Sequence, residues 1–276
     1  MAKRNIGHIL LTIFGFILVA IFAAPVLILL INSFKSLKNI YLNVLSIPNG
    51  DTFIISNYPE AFERLDFLKS FSNSLVITVL STAFILIFSS MAAWVLVRAK
   101  TKISKVIFMI LACSMLIPFQ CVMLPLVKFM DTLHMMNRPG LVFMYIGFGT
   151  SLSVMLFHGY IKHIPLELEE AAKIDGCNMF QTFFRIVFPM LKTILVTVAI
   201  LNIMWIWNDF LLPSLVINKT GWQTLPLKTF LFFGQFSKKW DLATAGLVLC
   251  MLPIVVFYMT CQKHIIKGVT DGAVKS

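Results

Sequence analysis

Four stretches of this chain run past 20 residues without a single Asp, Glu, Lys or Arg: 9–31, 71–97, 106–127 and 242–262. About 20 mostly apolar residues in a helix cross a bilayer's hydrocarbon core. Two further runs qualify, 141–161 with only His158 and 193–217 with only Asp209 as ionisable interruptions. Backbone N–H and C=O groups in lipid must be satisfied within the segment, so the six runs predict helices rather than strands. The expected fold class is an all-α polytopic membrane protein with one transmembrane domain over residues 1–276.

Composition agrees. Of 276 residues, 59% are hydrophobic and 13% charged, about half the charged share of a soluble domain. The run at 9–31 follows Lys3 and Arg4, as a signal peptide would. Its uncharged stretch is longer than a signal core and no A-x-A site ends it, so it reads as a retained span. The five cysteines have neither metal-ligand nor redox spacing, and four lie inside apolar runs as small packing residues. The net charge of +11 does not indicate nucleic acid. Basic residues neither form one long run nor interleave with aromatics in a soluble domain; many flank the apolar runs, as membrane anchors do.

Six spans put both termini on one side. With that side cytoplasmic, inner segments hold 13 of the 23 Lys and Arg residues, and "RAKTKISK" between the second and third spans holds four of them. This asymmetry predicts cytoplasmic termini. Outer connections then cover about residues 32–70, 128–140 and 218–241. The first contains "SIPNGDTFIISNYPEAF", rich in turn formers. The third, "NKTGWQTLPLKTFLFFGQFSKKW", is either a re-entrant or interfacial segment, a docking surface for an outer partner, or aromatic anchoring at the interface.

Several chemistries find no residues. There is no G-x-x-x-x-G-K-[ST] phosphate loop, no H-E-x-x-H, no G-x-S-x-G and no His–carboxylate cluster. Asp209 is the single acid within a span, and Asn208 and Pro213 beside it place it near the outer helix end. An ion-driven carrier needs more ionisable groups at mid-membrane. Energy for uphill movement would therefore come from another subunit, with a self-sufficient secondary carrier as the alternative and a membrane enzyme a more distant one.

Residues 162–192 interrupt the apolar pattern. Pro165 suits a helix's first turn, and Glu167, Glu169 and Glu170 follow where the helix dipole favours negative charge. Glu169 and Lys173 are four apart, a favourable helical pair. Asp175-Gly176 predicts a stop, with glycine supplying a left-handed conformation. Asn178 and Gln181 predict a capping box opening a second helix. Phe180, Phe183, Phe184, Val187 and Phe188 form a one-sided stripe, and Pro189 breaks that helix. Ala171 and Ala172, flanked by Glu170 with Ile174 nearby, leave a low surface that another protein could approach closely. An ordinary interfacial loop is the competing explanation.

These residues carry a resemblance. Glu170-Ala171-Ala172, Gly176, Ile186 and Pro189 resemble the E-A-A…G…I…P signature of permease subunits of ATP-binding-cassette importers. "PLELEEAAKIDGCNMFQTFFRIVFPM", "WNDFLLPS" (207–214) and "KGVTDGAVKS" (267–276) resemble the carbohydrate-uptake branch, in particular the smaller six-span permease of maltose-type systems. The resemblance spans essentially the whole chain and implies the type I importer permease fold. It implies a coupling helix seated on a cytoplasmic ATPase, with Glu170, Ala171, Ala172, Ile174, Asp175 and Gly176 as its seat and turn. Implied partners are a second homologous permease, a homodimeric ATPase that holds the ATP and Mg, an extracytoplasmic sugar-binding protein, a carbohydrate substrate and the lipid bilayer. No cofactor would be bound by this chain itself. Residues 218–241 resemble the loop contacting the binding protein, and the polar tail either reaches into the ATPase dimer or is a frayed end.

A sugar path needs aromatic faces and polar partners along a wet cavity. Asn202, Trp205 and Asp209 recur at i, i+3 and i+7 of the fifth span, and Gln120 lies between Pro118 and Pro125 of the third. Helix packing competes as the explanation for each.

Overall fold

The computed structural model describes residues 2–234 and 238–273. Helices follow one another as α1 (Ala2–Ser33), α2 (Leu37–Leu42), α3 (Asn57–Arg64), α4 (Phe67–Ala99), α5 (Lys102–Ser114), α6 (Phe119–Thr132) and α7 (Arg138–Ile161). Then come α8 (Glu167–Ile174), α9 (Met179–Thr182), α10 (Phe188–Met190), α11 (Lys192–Asn208), α12 (Leu211–Val216), α13 (Leu225–Thr229) and α14 (Trp240–Ala273). Four of them are long and apolar enough to cross a membrane alone: α1, α4, α7 and α14. The chain divides into two compact units, Met1–Leu68 with Lys228–Pro253, and Lys69–Leu227 with Ile254–Ser276.

In the first unit α1 leaves its apolar side chains uncovered, Phe16 and Phe22 among them, as a helix facing lipid does. The segment after it folds onto itself. Asn57 donates to the carbonyls of Ser33 and Lys35, and the Phe34 ring stacks on Phe53 with centroids 5.0 Å apart. Lys35, 1% exposed, donates to Asn32 Oδ1 and to the carbonyls of Asn43 and Val44. Burial pushes its ammonium below the usual lysine range. In the connection that precedes α14, Phe233 pairs with Lys238 in an isolated antiparallel bridge, and the Phe233 ring meets Trp240 edge-on.

The second unit packs α4, α7 and α11 around two apolar clusters. One joins Ala93 and Trp94 of α4, Val154, Phe157 and Ile161 of α7, and Phe183, Val187, Leu191 and Val198. The other joins Ile77 and Ile85 of α4, Met144 and Tyr145 of α7, Ile206 of α11, and Leu212 and Val216 of α12.

Two of the predicted spans are bent or broken, and counting each bent pair as one span gives up to six among the described residues. The run at 106–127 is not one straight helix: α5 stops at Ser114, α6 starts at Phe119, and their axes differ by 104°. Pro118 at the α6 N-cap favours the break, because it offers no N–H to the preceding turn and disfavours helical backbone at Ile117. The run at 193–217 is also interrupted. Helix α11 ends at Asn208, Asp209 is extended, and α12 restarts at Leu211. Between the helical stretch Met179–Met190 and α11 the axis turns by 80° at Leu191.

The predicted sixth span, 242–262, lies within α14, whose backbone continues helical through Ala273. Residues 274–276, and the side chains of 264–273, on which the predicted role of the polar tail depends, lie outside the described residues.

Candidate functional site

The interruption at 162–192 forms a helix, a turn and a second helix. Helix α8 begins at Glu167, two residues after Pro165, with Glu167, Glu169 and Glu170 in its first turn. It ends at Ile174 with Asp175 as C-cap, and Gly176 takes φ +81°, a left-handed conformation that costs glycine little. The capping box forms as expected: Gln181 N–H donates to Asn178 Oδ1, and Asn178 N–H donates to Gln181 Oε1. After Thr182 the chain widens into a π-helical turn over Phe183–Val187. That extra residue per turn splits the predicted aromatic stripe. Phe183 and Val187 are fully buried while Phe180 and Phe184 stay exposed.

The α8 residues face two ways. Glu170, Ala171, Asp175 and Gly176 are exposed, and Ile174 is 87% exposed, a high value for a large apolar side chain. Ala172 turns inward at 5% exposure, so the low surface is contributed by Ala171 and not by the pair. Glu169 also turns inward. Its Oε1 accepts from Arg98 Nε at 2.9 Å with Arg98 Nη2 at 2.8 Å, and its Oε2 accepts from Trp94 Nε1 at 3.0 Å. Arg98 Nη2 also donates to the Ile164 carbonyl at 2.9 Å. The expected surface pair with Lys173 is thus replaced by a buried connection to α4. Sequence reasoning missed Trp94 and Arg98; the available signal was a basic residue ending an uncharged run together with an acid sharing Ala172's helical face.

A cavity of about 690 Å³ opens within the second unit between the α5–α6 bend, α7 and α11. Its wall is chiefly apolar, including Met115, Phe119, Phe143 and Phe148, with Ser114, Ser151 and Asn202 as polar exceptions. Ser114 and Ser151 share a 2.7 Å hydrogen bond across α5 and α7. Asn202 is buried, donating to Ser153 Oγ and to the Val198 carbonyl. Of the four predicted path residues, Asn202 and Trp205 line this cavity. Trp205 meets Tyr145 edge-on with centroids 5.5 Å apart.

Asp209 does not continue that helical face, because α11 has ended. Its Oδ2 accepts from Tyr145 OH at 2.9 Å and its Oδ1 from Leu211 N–H at 2.9 Å, so it links the helix break to α7. Gln120 is exposed in the first turn of α6 and is not part of the cavity wall. Among the residues described, no group of His, Cys, Asp and Glu could hold a metal ion.

Several membrane-crossing helices with a solvent-facing helical interruption define the class: a multi-pass membrane protein. A family model described as "Binding-protein-dependent transport system inner membrane component" matches residues 85–271. The chain belongs to this family and is an inner-membrane component of such a transport system. It is 48% identical over 275 residues, covering 100% of both chains, to the "Probable starch degradation products transport system permease protein AmyC" of Thermoanaerobacterium thermosulfurigenes. It is 36% identical over 276 residues, covering 99% of both, to the "Melibiose/raffinose/stachyose import permease protein MelC" of Bacillus subtilis (strain 168). In fold it matches a chain of a "bacterial ABC transporter involved in the import of the acidic polysaccharide alginate", with a TM-score of 0.78 at 21% identity, covering 95% of this chain and 97% of that one. These relatives are transport permeases rather than enzymes.

Proposed function

We propose that this chain is the permease subunit of an ATP-driven importer of sugars, with oligosaccharides as the leading substrate class. It forms half of a translocation path by alternating access. Both termini lie in the cytoplasm, and α8 seats on a cytoplasmic ATPase through Glu170, Ala171 and Ile174, with Asp175 and Gly176 as the turn that orients it. The chain holds no ATPase site of its own; ATP and Mg are bound by a homodimeric ATPase. A second homologous permease completes the path, and an extracytoplasmic sugar-binding protein delivers the substrate. The sugar class is supported by relatives whose names specify starch degradation products and the melibiose, raffinose and stachyose series.

The observation that carries the coupling role is Ile174. A large apolar side chain exposed on a short helix beside acidic Glu170 is suited to burial against a partner surface. Conformational coupling needs such an interface to be held in two discrete arrangements. The test is Ala171→Arg, chosen because Ala171 is exposed whereas arginine at Ala172 would also disrupt this chain's own packing. The expected result is a permease that still accumulates in the membrane but loses transport and no longer stimulates the ATPase. Normal uptake by this variant would contradict the assignment.

A further inference from the structure

Building on the coupling role proposed for α8, we infer that Glu169, Arg98 and Trp94 are positioning residues that clamp α8 to the C-terminal end of α4. The two then move as one body, and motion of the ATPase enters the membrane through α4.

Three contacts make the clamp. The Arg98 guanidinium uses Nε and Nη2 on one Glu169 oxygen, the Trp94 indole N–H takes the other, and Nη2 also reaches the Ile164 carbonyl just ahead of α8. The arginine thus ties α4, the connection and α8 together. The carboxylate and guanidinium are withdrawn from water, with side-chain exposures of 3% and 18%. Trp94 and Ile164 belong to the apolar cluster built with Phe157, Phe183 and Val187, and the Trp94 and Phe183 rings lie 5.4 Å apart.

A pair buried in this way adds little net stability, but pulling it apart leaves uncompensated charge in an apolar site. That asymmetry suits transmission of force: separation of α8 from α4 is strongly resisted. The opposite junction of α8 is built differently. Gly176 is exposed, and no heavy atom lies within 4 Å of where its Cβ would be. The helix is therefore anchored to α4 and followed by an exposed turn closed by its own backbone, Gly176 N–H donating to the Lys173 carbonyl and Cys177 N–H to the Ala172 carbonyl.

The experiment uses the full chain assembled with the second permease, the ATPase dimer and the binding protein in proteoliposomes, reading substrate delivered per ATP hydrolysed. Glu169→Ala and Arg98→Ala should keep the ATPase bound while lowering that ratio by about tenfold or more, within the range of allosteric coupling energies. Arg98→Lys, which keeps the charge but loses the two-nitrogen grip, should lower it less. A ratio unchanged in either alanine variant overturns the clamp. So does a fall in uptake that only tracks a smaller amount of assembled complex, the mark of a purely structural role.

If the alanine variants fail to accumulate, Glu169→Gln decides, since it keeps shape and loses charge: an unchanged ratio overturns the clamp. Failure of the wild-type chain to retain any ATPase would instead overturn the coupling role itself, before any variant is compared.

Discussion

Glu169 and Glu170 are neighbours with opposite fates. Successive residues on a helix point about 100° apart, and here one carboxylate is sealed beneath α8 while the other faces out. An eight-residue helix is too short for its apolar period to announce which face turns inward, so both acids read equally well as first-turn charges. Gly149 shows the same dependence on context. In sequence it is one of several glycines in an apolar run, but a Cβ there would sit 2.5 Å from Ile85 Cδ1 and 2.8 Å from Asn202 Oδ1. Gly149→Ala should therefore destabilise the second unit by about 1–3 kcal/mol through overpacking. A lowered melting temperature in detergent would show this, and an unchanged one would mean that Ile85 and Asn202 yield without cost.

Elements were legible where their determinants are local. The stop at Asp175-Gly176 and the capping box of Asn178 and Gln181 were expected from spacing alone and form as expected. Such caps satisfy the orphan amides of a helix's first turn. Asn178→Ala should cost about 0.5–2 kcal/mol and appear as faster hydrogen exchange at the amides of Thr182 and Gln181. Elements were less legible where a break hides inside an apolar run. Pro118 carried the signal for the bend between α5 and α6, yet hydrophobicity remains continuous across it and reads as one span. The π-helical turn had no local signal. It accompanies the burial of Phe183 and Val187 in the cluster with Trp94 of α4 and Phe157 of α7.

For the whole molecule, the prediction concerns self-sufficiency. Purified alone in liposomes the chain should move no sugar, and uptake should appear only on adding the second permease, the ATPase, ATP and the loaded binding protein. Uptake by the chain alone, driven by an ion gradient, would favour a secondary carrier. Substrate choice at this scale is expected to follow the binding protein, because the cavity wall of this chain offers few polar groups, Ser114, Ser151 and Asn202 among them.

The amino-acid order by itself determined that the chain is helical and membrane-embedded, where its apolar runs lie, and where the polar interruption at 162–192 turns. Each follows from local rules: lipid cannot satisfy a bare backbone, and caps act within a few residues. Only the tertiary structure decided that Glu169 is buried on Arg98 and Trp94, that Asp209 leaves its helix to meet Tyr145, and that bent α5 and α6 open a cavity against α7 and α11. The Glu169 and Asp209 contacts join residues 64 to 75 positions apart, and the cavity is closed by contacts spanning 37 and 49 positions. Their partners are chosen by packing, and no local period or cap encodes that choice.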